Sequence, residues 1–408
     1  MAKNINTKDK LSIFLIILML LLKMGFFKVF GMFFVNDVFM NVIYLMLIFI
    51  ITFLVWIPRN KTICLEVFLC VVSLLISIFH GMIEGNGLSP GPVLSKSLNY
   101  LFVILALPIF KLLKQGKWRF RKCIELLVTT NVFSYLLRWF ISEWYSITGK
   151  IVFESIAFES ATNFFRSGTL RINPPCITLI FVPLCYYLII TEKKFKKRVA
   201  WVCSIIIHFV FVLNVYMARS VLVYSTLSLL IMYAIQKVSS WKSLIRWIII
   251  TSFIVIILNS SYFDSFVNSF STESSLALST TSRIQSFTYA LTTIKNHPVL
   301  GTGLVNYNSI YGYGSLSDVG FLMSISQIGL PIVMFYTFIF YIGFKSALML
   351  KKVDPSLAVL EFGMTASIIM TGFTIDCFFN IFSFAVPFYI AISNYLLIVA
   401  QKPNSKGK

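Results

Sequence analysis

The sequence predicts an all-α polytopic membrane protein, with roughly a dozen transmembrane helices and both termini cytoplasmic. Two observations carry this. Of 408 residues, 58% are hydrophobic and only 12% charged, about half the charge fraction that covers a soluble domain. The apolar residues also come in repeated runs of about 20, the length that crosses ~30 Å of hydrocarbon at 1.5 Å per residue. Hydrocarbon offers no partner for backbone N–H and C=O groups, so such runs are helices. The alternating strands of a membrane barrel are absent.

Taken in order, the spans are expected near 11–33, 39–57, 62–80, 94–113, 123–141, 174–191, 199–217, 220–236, 244–260, 318–341, 356–374 and 377–398. The charges between them set the orientation. Most of the 35 Lys and Arg fall in segments that a cytoplasmic N-terminus puts inside, among them Lys3, Lys8, Lys10, Arg59, Lys61, Lys111 to Lys122, Lys193 to Arg198, Lys351 and Lys352. The net charge of +20 is thus a positive-inside signal rather than a nucleic-acid footprint. The first helix reads as uncleaved, because Lys23 and bulky aromatics follow its apolar run where a signal peptide has small residues. The seven cysteines contain no CxxC and indicate neither a metal nor a disulfide framework.

The inner loops are short and basic, whereas two outer loops are long: 142–173 and 261–317. No segment between spans is large enough to fold alone, so residues 1–408 are expected to form one integral membrane domain, with those two loops as its expected catalytic face. Loop 142–173 ends in FFRSGTLRINPP. Arg166 and Arg171 straddle a Ser-Gly turn, and Pro174–Pro175 are suited to opening the next helix. Two readings fit these arginines: interfacial side chains snorkelling to headgroups, or a clamp whose guanidinium forks suit phosphate oxygens. Arg219, in NVYMARSVLVY, sits at the outer mouth between two spans with almost no loop. A charge there costs a few kcal/mol unless it meets water or an anion.

In loop 261–317, Ser282 to Gln285 fits a capping box, followed by Ile284, Phe287, Leu291 and Ile294 on one face. This predicts a short amphipathic helix ending at Asn296-His297-Pro298, since a residue before proline resists the α region. Arg283 then falls in the first turn, where the helix dipole disfavours a cation; an anionic substrate or a plain surface position accounts for it. Beyond lie Gly301-Thr302-Gly303 and Tyr307, Tyr311 and Tyr313, whose rings suit sugar faces as well as a membrane interface. The three histidines are scattered, and no Walker loop, HExxH, catalytic-serine elbow or DxD pair occurs. His208, mid-helix, reads as a hydrogen-bonded core residue. No metal or cofactor is expected.

The stretch RIQSFTYALTTIKNHPVLGTGLVNY, followed by SDVGFLMSISQIGLPIVMFYTFIFY, resembles the O-antigen ligase/polymerase superfamily. There an outer-loop arginine helix leads to a proline–glycine turn, and a polar residue opens the next helix. RSGTLRINPP and the ARS of Arg219 also look like landmarks of that family. The sharp motifs cover about 60 residues, and the topology covers the whole chain. The resemblance implies glycosyl transfer on the outer face of a bacterial inner (plasma) membrane, from a glycan on undecaprenyl pyrophosphate. Where the ligase branch has a His-Asn pair, this chain reads Ser317-Asp318, which favours a Wzy-type polymerase with a second lipid-linked repeat as acceptor. Chain-length regulator and flippase proteins are the implied partners, beside membrane lipids. Arg166, Arg171, Arg219 and Arg283 are then expected at the pyrophosphate, Tyr307, Tyr311 and Tyr313 at sugars, and Asp318 or, second, His297 as general base. The alternatives are an O-antigen ligase or other glycan transferase, and a lipid-linked oligosaccharide flippase. A flippase's paired broken helices and internal repeat are not seen.

Overall fold

The computed structural model describes residues 6–26, 37–55, 60–83, 90–153, 156, 165–166, 169–236, 277–304, 319–378 and 382–401. They are overwhelmingly helical, as expected. The helices are α1 (Thr7–Lys23), α2 (Asp37–Val55), α3 (Lys61–Ile83), α4 (Pro90–Leu101), α5 (Ala106–Lys114), α6 (Phe120–Thr148), α7 (Thr178–Thr191), α8 (Phe195–Phe211), α9 (Arg219–Ile235), α10 (Ala277–Asn296), α11 (Phe321–Ile328), α12 (Leu330–Val353), α13 (Pro355–Gly372) and α14 (Ala385–Gln401). A two-residue antiparallel ladder, β1 (Phe165–Arg166) with β2 (Thr169–Leu170), lies between α6 and α7. A 3-10 segment, Phe102–Leu105, joins α4 to α5, and a π turn, Val212–Tyr216, ends α8.

Six helical stretches among the described residues are long and apolar enough to cross a membrane: Lys61–Ile83, Val93–Lys114, Phe120–Thr148, Phe195–Tyr216, Leu330–Val353 and Pro355–Gly372. The outer surface of these helices and of α2 is itself apolar. Phe49, Phe53, Phe68, Phe79 and Phe133 are all exposed, which in water would be an aggregation liability and in a bilayer is solvation. Side-chain caps define the starts of α3 and α13. Asn60 Oδ1 accepts from Thr62 N at 2.9 Å, and Asp354 Oδ1 accepts from Ser356 N at 2.9 Å, with Pro355 in the first helical position. Gly149, left-handed at φ 68°, ends α6.

The segments expected inside meet at one end of the bundle. Lys117 pairs with Asp9 at 3.1 Å, Lys111 Nζ donates to Val55 O, and Arg121 pairs with Glu192, whose carbonyl Arg198 also caps. The segments expected outside meet at the other. Arg138, almost fully buried, donates from Nε to Asn173 O at 2.9 Å and from Nη1 to Met24 O at 2.9 Å and to Ser134 Oγ. Ser142 Oγ donates to Leu170 O at 3.0 Å.

Several expected boundaries are corrected. The span expected at 318–341 is broken at Gly329, where φ is 76°, into α11 and α12. Leu330 N turns away to donate to Val299 O, and α12 then runs on to Val353. Pro174–Pro175 do not open a helix; α7 begins at Thr178. The helix expected from Ser282 begins at Ala277, so Ser282 is interior rather than a cap. Arg283 is therefore in the second turn, and the dipole penalty argued for it does not apply. The helix ends at Asn296, as the following His297-Pro298 predicts. The span expected at 244–260 lies outside the described residues.

Candidate functional site

Two clusters occupy the end opposite the basic loops. In the first, the chain leaving β2 docks on the junction between α8 and α9. Arg171, half-buried, donates from Nε to Tyr216 O at 2.8 Å, and its guanidinium lies 5.2 Å from the centre of the Tyr216 ring. Met217, left-handed at φ 52°, then reverses the chain into α9, of which Arg219 is the first residue. Arg171 is thus docked on the turn that leads into Arg219, a segment remote from it in sequence. No side chain caps the first turn of α9, and unsatisfied N–H groups there favour an anion. Arg166 pairs through its backbone with Thr169. The side chains of Arg166, Arg219 and Arg283 lie outside the described residues.

The second cluster is built from the turn after α10. His297 N donates to Thr293 O at 2.8 Å, and His297 O accepts from Gly301 N at 3.0 Å. The His297 side chain is exposed, and its backbone shapes the turn. Thr302 N and Gly303 N then donate to Ser326 O and Gln327 O, in the last turn of α11, at 3.0 and 2.9 Å. Ser77 Oγ, from α3, donates to the same Gln327 O at 3.2 Å. The Gly301-Thr302-Gly303 turn is therefore clamped between α3 and the Gly329 break. Asp318, Tyr307, Tyr311 and Tyr313 lie outside the described residues.

Helix α10 turns its expected apolar stripe away from the protein. Ile284, Phe287 and Leu291 are exposed, whereas Ser286, Ala290 and Thr293 are buried and face α11. An apolar face directed outward beside the helix ends suits a helix lying against lipid.

Sequence reasoning missed a polar network beneath α11. Asp376, in the link between α13 and α14, accepts from Ser324 Oγ, from Tyr336 Oη at 3.1 Å and from Phe378 N at 2.8 Å. Tyr100 Oη lies 3.1 Å from Ser324 Oγ. Burial pushes the Asp376 carboxyl up to about 6, against the pull of those hydrogen bonds. The network anchors α11, and with it the chain emerging from residue 318. Its signal in the sequence is an aspartate inside an otherwise apolar stretch.

A pH dependence follows. The folded carboxyl, titrating near 6, holds its proton more tightly than the unfolded one at 3.8. Stability therefore falls as pH rises through that window, by up to about 3 kcal/mol, and levels off above it. Asp376→Asn keeps an acceptor for Phe378 N and Tyr336 but cannot ionise. It is expected to abolish the fall, which unfolding temperatures of the purified protein at about pH 4 and pH 7 will check.

His208 is the core residue expected. Nδ1 meets Tyr135 Oη at 2.8 Å and Nε2 meets Ser225 Oγ at 2.9 Å. Among the described residues, no group of three or more His, Cys, Asp or Glu could hold a metal ion. No protein-family model matches the sequence, and a search of curated proteins finds no relative.

Proposed function

We propose that this protein is a polymerase of lipid-linked polysaccharide repeat units. It transfers a glycan from undecaprenyl pyrophosphate to a second lipid-linked repeat at the outer face of a bacterial plasma membrane. The observation that carries the reading is the docking of Arg171 on the backbone just before Arg219, beside the uncapped start of α9. Two arginine-bearing motifs that the sequence holds far apart meet at one helix mouth, at the end away from the basic loops.

The chemistry needs this. A pyrophosphate leaves readily as an anion, so the protein's task is to neutralise charge rather than to protonate the leaving oxygen. Fixed arginines and helix N–H groups in a site poor in water do that without reorganising. Arg166 and Arg283 complete the proposed clamp. Asp318, or second His297, takes the proton of the attacking sugar hydroxyl. Tyr307, Tyr311 and Tyr313 supply faces for sugar rings. The lipid tail runs along the exposed aromatic surface between helices, and α10 rests on the bilayer through Ile284, Phe287 and Leu291.

Deleting the gene and examining surface polysaccharide tests the reading. Loss of long chains, with single-repeat structures retained, is the expected result. Loss of every repeat from the outer leaflet would assign a flippase instead, and normal chain lengths would exclude both.

A further inference from the structure

Two carboxyls are buried in the bundle on the side of the basic loops, remote from the proposed glycan site. Glu66 on α3 and Glu361 on α13 are both fully buried. Glu66 lies five residues inside Lys61, and Glu361 six inside Pro355. At 1.5 Å per residue both sit roughly 8–9 Å from the helix ends, beneath the membrane surface. They are close enough to interact electrostatically with each other, and Tyr389 on α14 interacts with both.

Several buried oxygens of this cluster have no hydrogen-bond partner. Neither Glu361 Oε1 nor Oε2 has a hydrogen-bond partner. Ser393 Oγ lies beside the Glu361 carboxyl without a hydrogen bond of normal geometry. The amide of Asn394 donates from Nδ2 to Glu66 and leaves its Oδ1 unpaired and buried. On α12, the bare backbone of Gly343 lets polar groups of α13 and α14 pack close against it. A Cβ there would lie 3.3 Å from Glu361 Oε1 and collide with Thr365 Oγ1 and Tyr389 Oη. Ser346, one turn on along the same face, is fully buried with its Oγ unpaired. The titratable groups facing Glu361 are Glu66 from α3 and Tyr389 from α14; Gly343 is its neighbour from α12.

We infer that Glu66, Glu361, Ser393 and Asn394 form an intramembrane site that exchanges a proton for a sodium-sized monovalent cation. Two buried carboxylates that interact with each other cannot both stay ionised without a compensating positive charge. No Lys, Arg or His supplies it in hydrogen-bonding contact with either carboxyl among the described residues. Every free ligand here is a hard oxygen, the donor type that suits such ions rather than zinc or copper. Charge balances in the exchange: as the cation enters, one carboxyl releases its proton toward the basic end. Ionisable side chains at this depth are costly, and they commonly mark ion or proton pathways. This site stands apart from the glycan reading and does not depend on it.

The test uses the full-length protein in detergent or nanodiscs at about pH 8. Replacing choline chloride by sodium chloride at constant ionic strength is expected to raise the unfolding temperature by roughly 2–4 °C. It is also expected to bleach the infrared carbonyl band of a protonated carboxyl in the wild type. Glu361→Gln should abolish both effects, and Ser393→Ala, which keeps both carboxyls, should weaken the sodium response at least tenfold in midpoint concentration. A carboxyl band that sodium leaves unchanged, together with an unfolding temperature indifferent to sodium, overturns the inference and leaves a neutral structural pair.

Discussion

Arg219→Ala is expected to abolish long-chain polysaccharide while leaving the protein in the membrane at normal abundance. In the proposed site this arginine stands at the first position of α9, where a cation is unfavourable unless an anion meets it. It follows by three residues Tyr216, whose carbonyl and ring hold Arg171. Removing one preorganised donor from a developing anion typically lowers turnover by about 10²–10³. Arg219→Lys should recover only part of this, because an ammonium lacks the planar fork that matches two phosphate oxygens. Arg171→Ala should be milder on turnover and harsher on stability, since its described contacts are to the protein. Chain-length profiles normalised to protein level check all three, and normal profiles for Arg219→Ala would remove the clamp from the account.

Gly303→Ala is expected to cost at least about 3 kcal/mol of stability and to remove activity with it. Gly303 has φ 78°, where an L side chain is strained by about 1–2 kcal/mol. A Cβ would also strike the backbone of Gly81 and come within 2.9 Å of Ser77 O. None of these is the movable end of a side chain, so relief requires shifting α3 or unfastening the turn from Gln327. Gly116→Ala makes a control: φ is 70°, and a Cβ there meets nothing within 4 Å. That variant should show the strain alone. Unfolding temperatures of the two purified variants separate the terms, and equal losses would mean that the close approach to α3 contributes nothing.

These outcomes track what could be seen in the sequence. The ends of α3, α6 and α13 are marked by Asn60, Gly149 and Asp354-Pro355, whose side chains or backbone freedom act locally. The end of α10 at His297-Pro298 is equally local. By contrast, the break at Gly329 is set by Leu330 N bonding to Val299 O, a tertiary contact that periodicity within 318–341 cannot reveal. The start of α10 is obscured in the sequence because Ser282 to Gln285 matches a capping box while the helix already runs through it.

The same division holds at the site. Arg171 and Arg219 are legible as charges without a topological reason, and the docking of Arg171 on the α8–α9 junction is not. Arg138, also a basic residue at the outer end of a helix, is a structural tie among Met24, Ser134 and Asn173. An out-of-place arginine therefore does not by itself distinguish a ligand site from a buried brace. Asp376, Glu66 and Glu361 each stand alone in apolar stretches. Their partners come from other helices, so only the packed bundle discloses them.

Reconstitution tests the central claim most directly. The purified protein in proteoliposomes is given a lipid-pyrophosphate-linked repeat unit on its outer-face side, and products are resolved by length. The account predicts a ladder of lipid-linked oligomers for the wild type, reduced at least a hundredfold in rate for Arg219→Ala. Substrate recovered unchanged in length by a folded wild-type protein, or merely moved between leaflets, would contradict it.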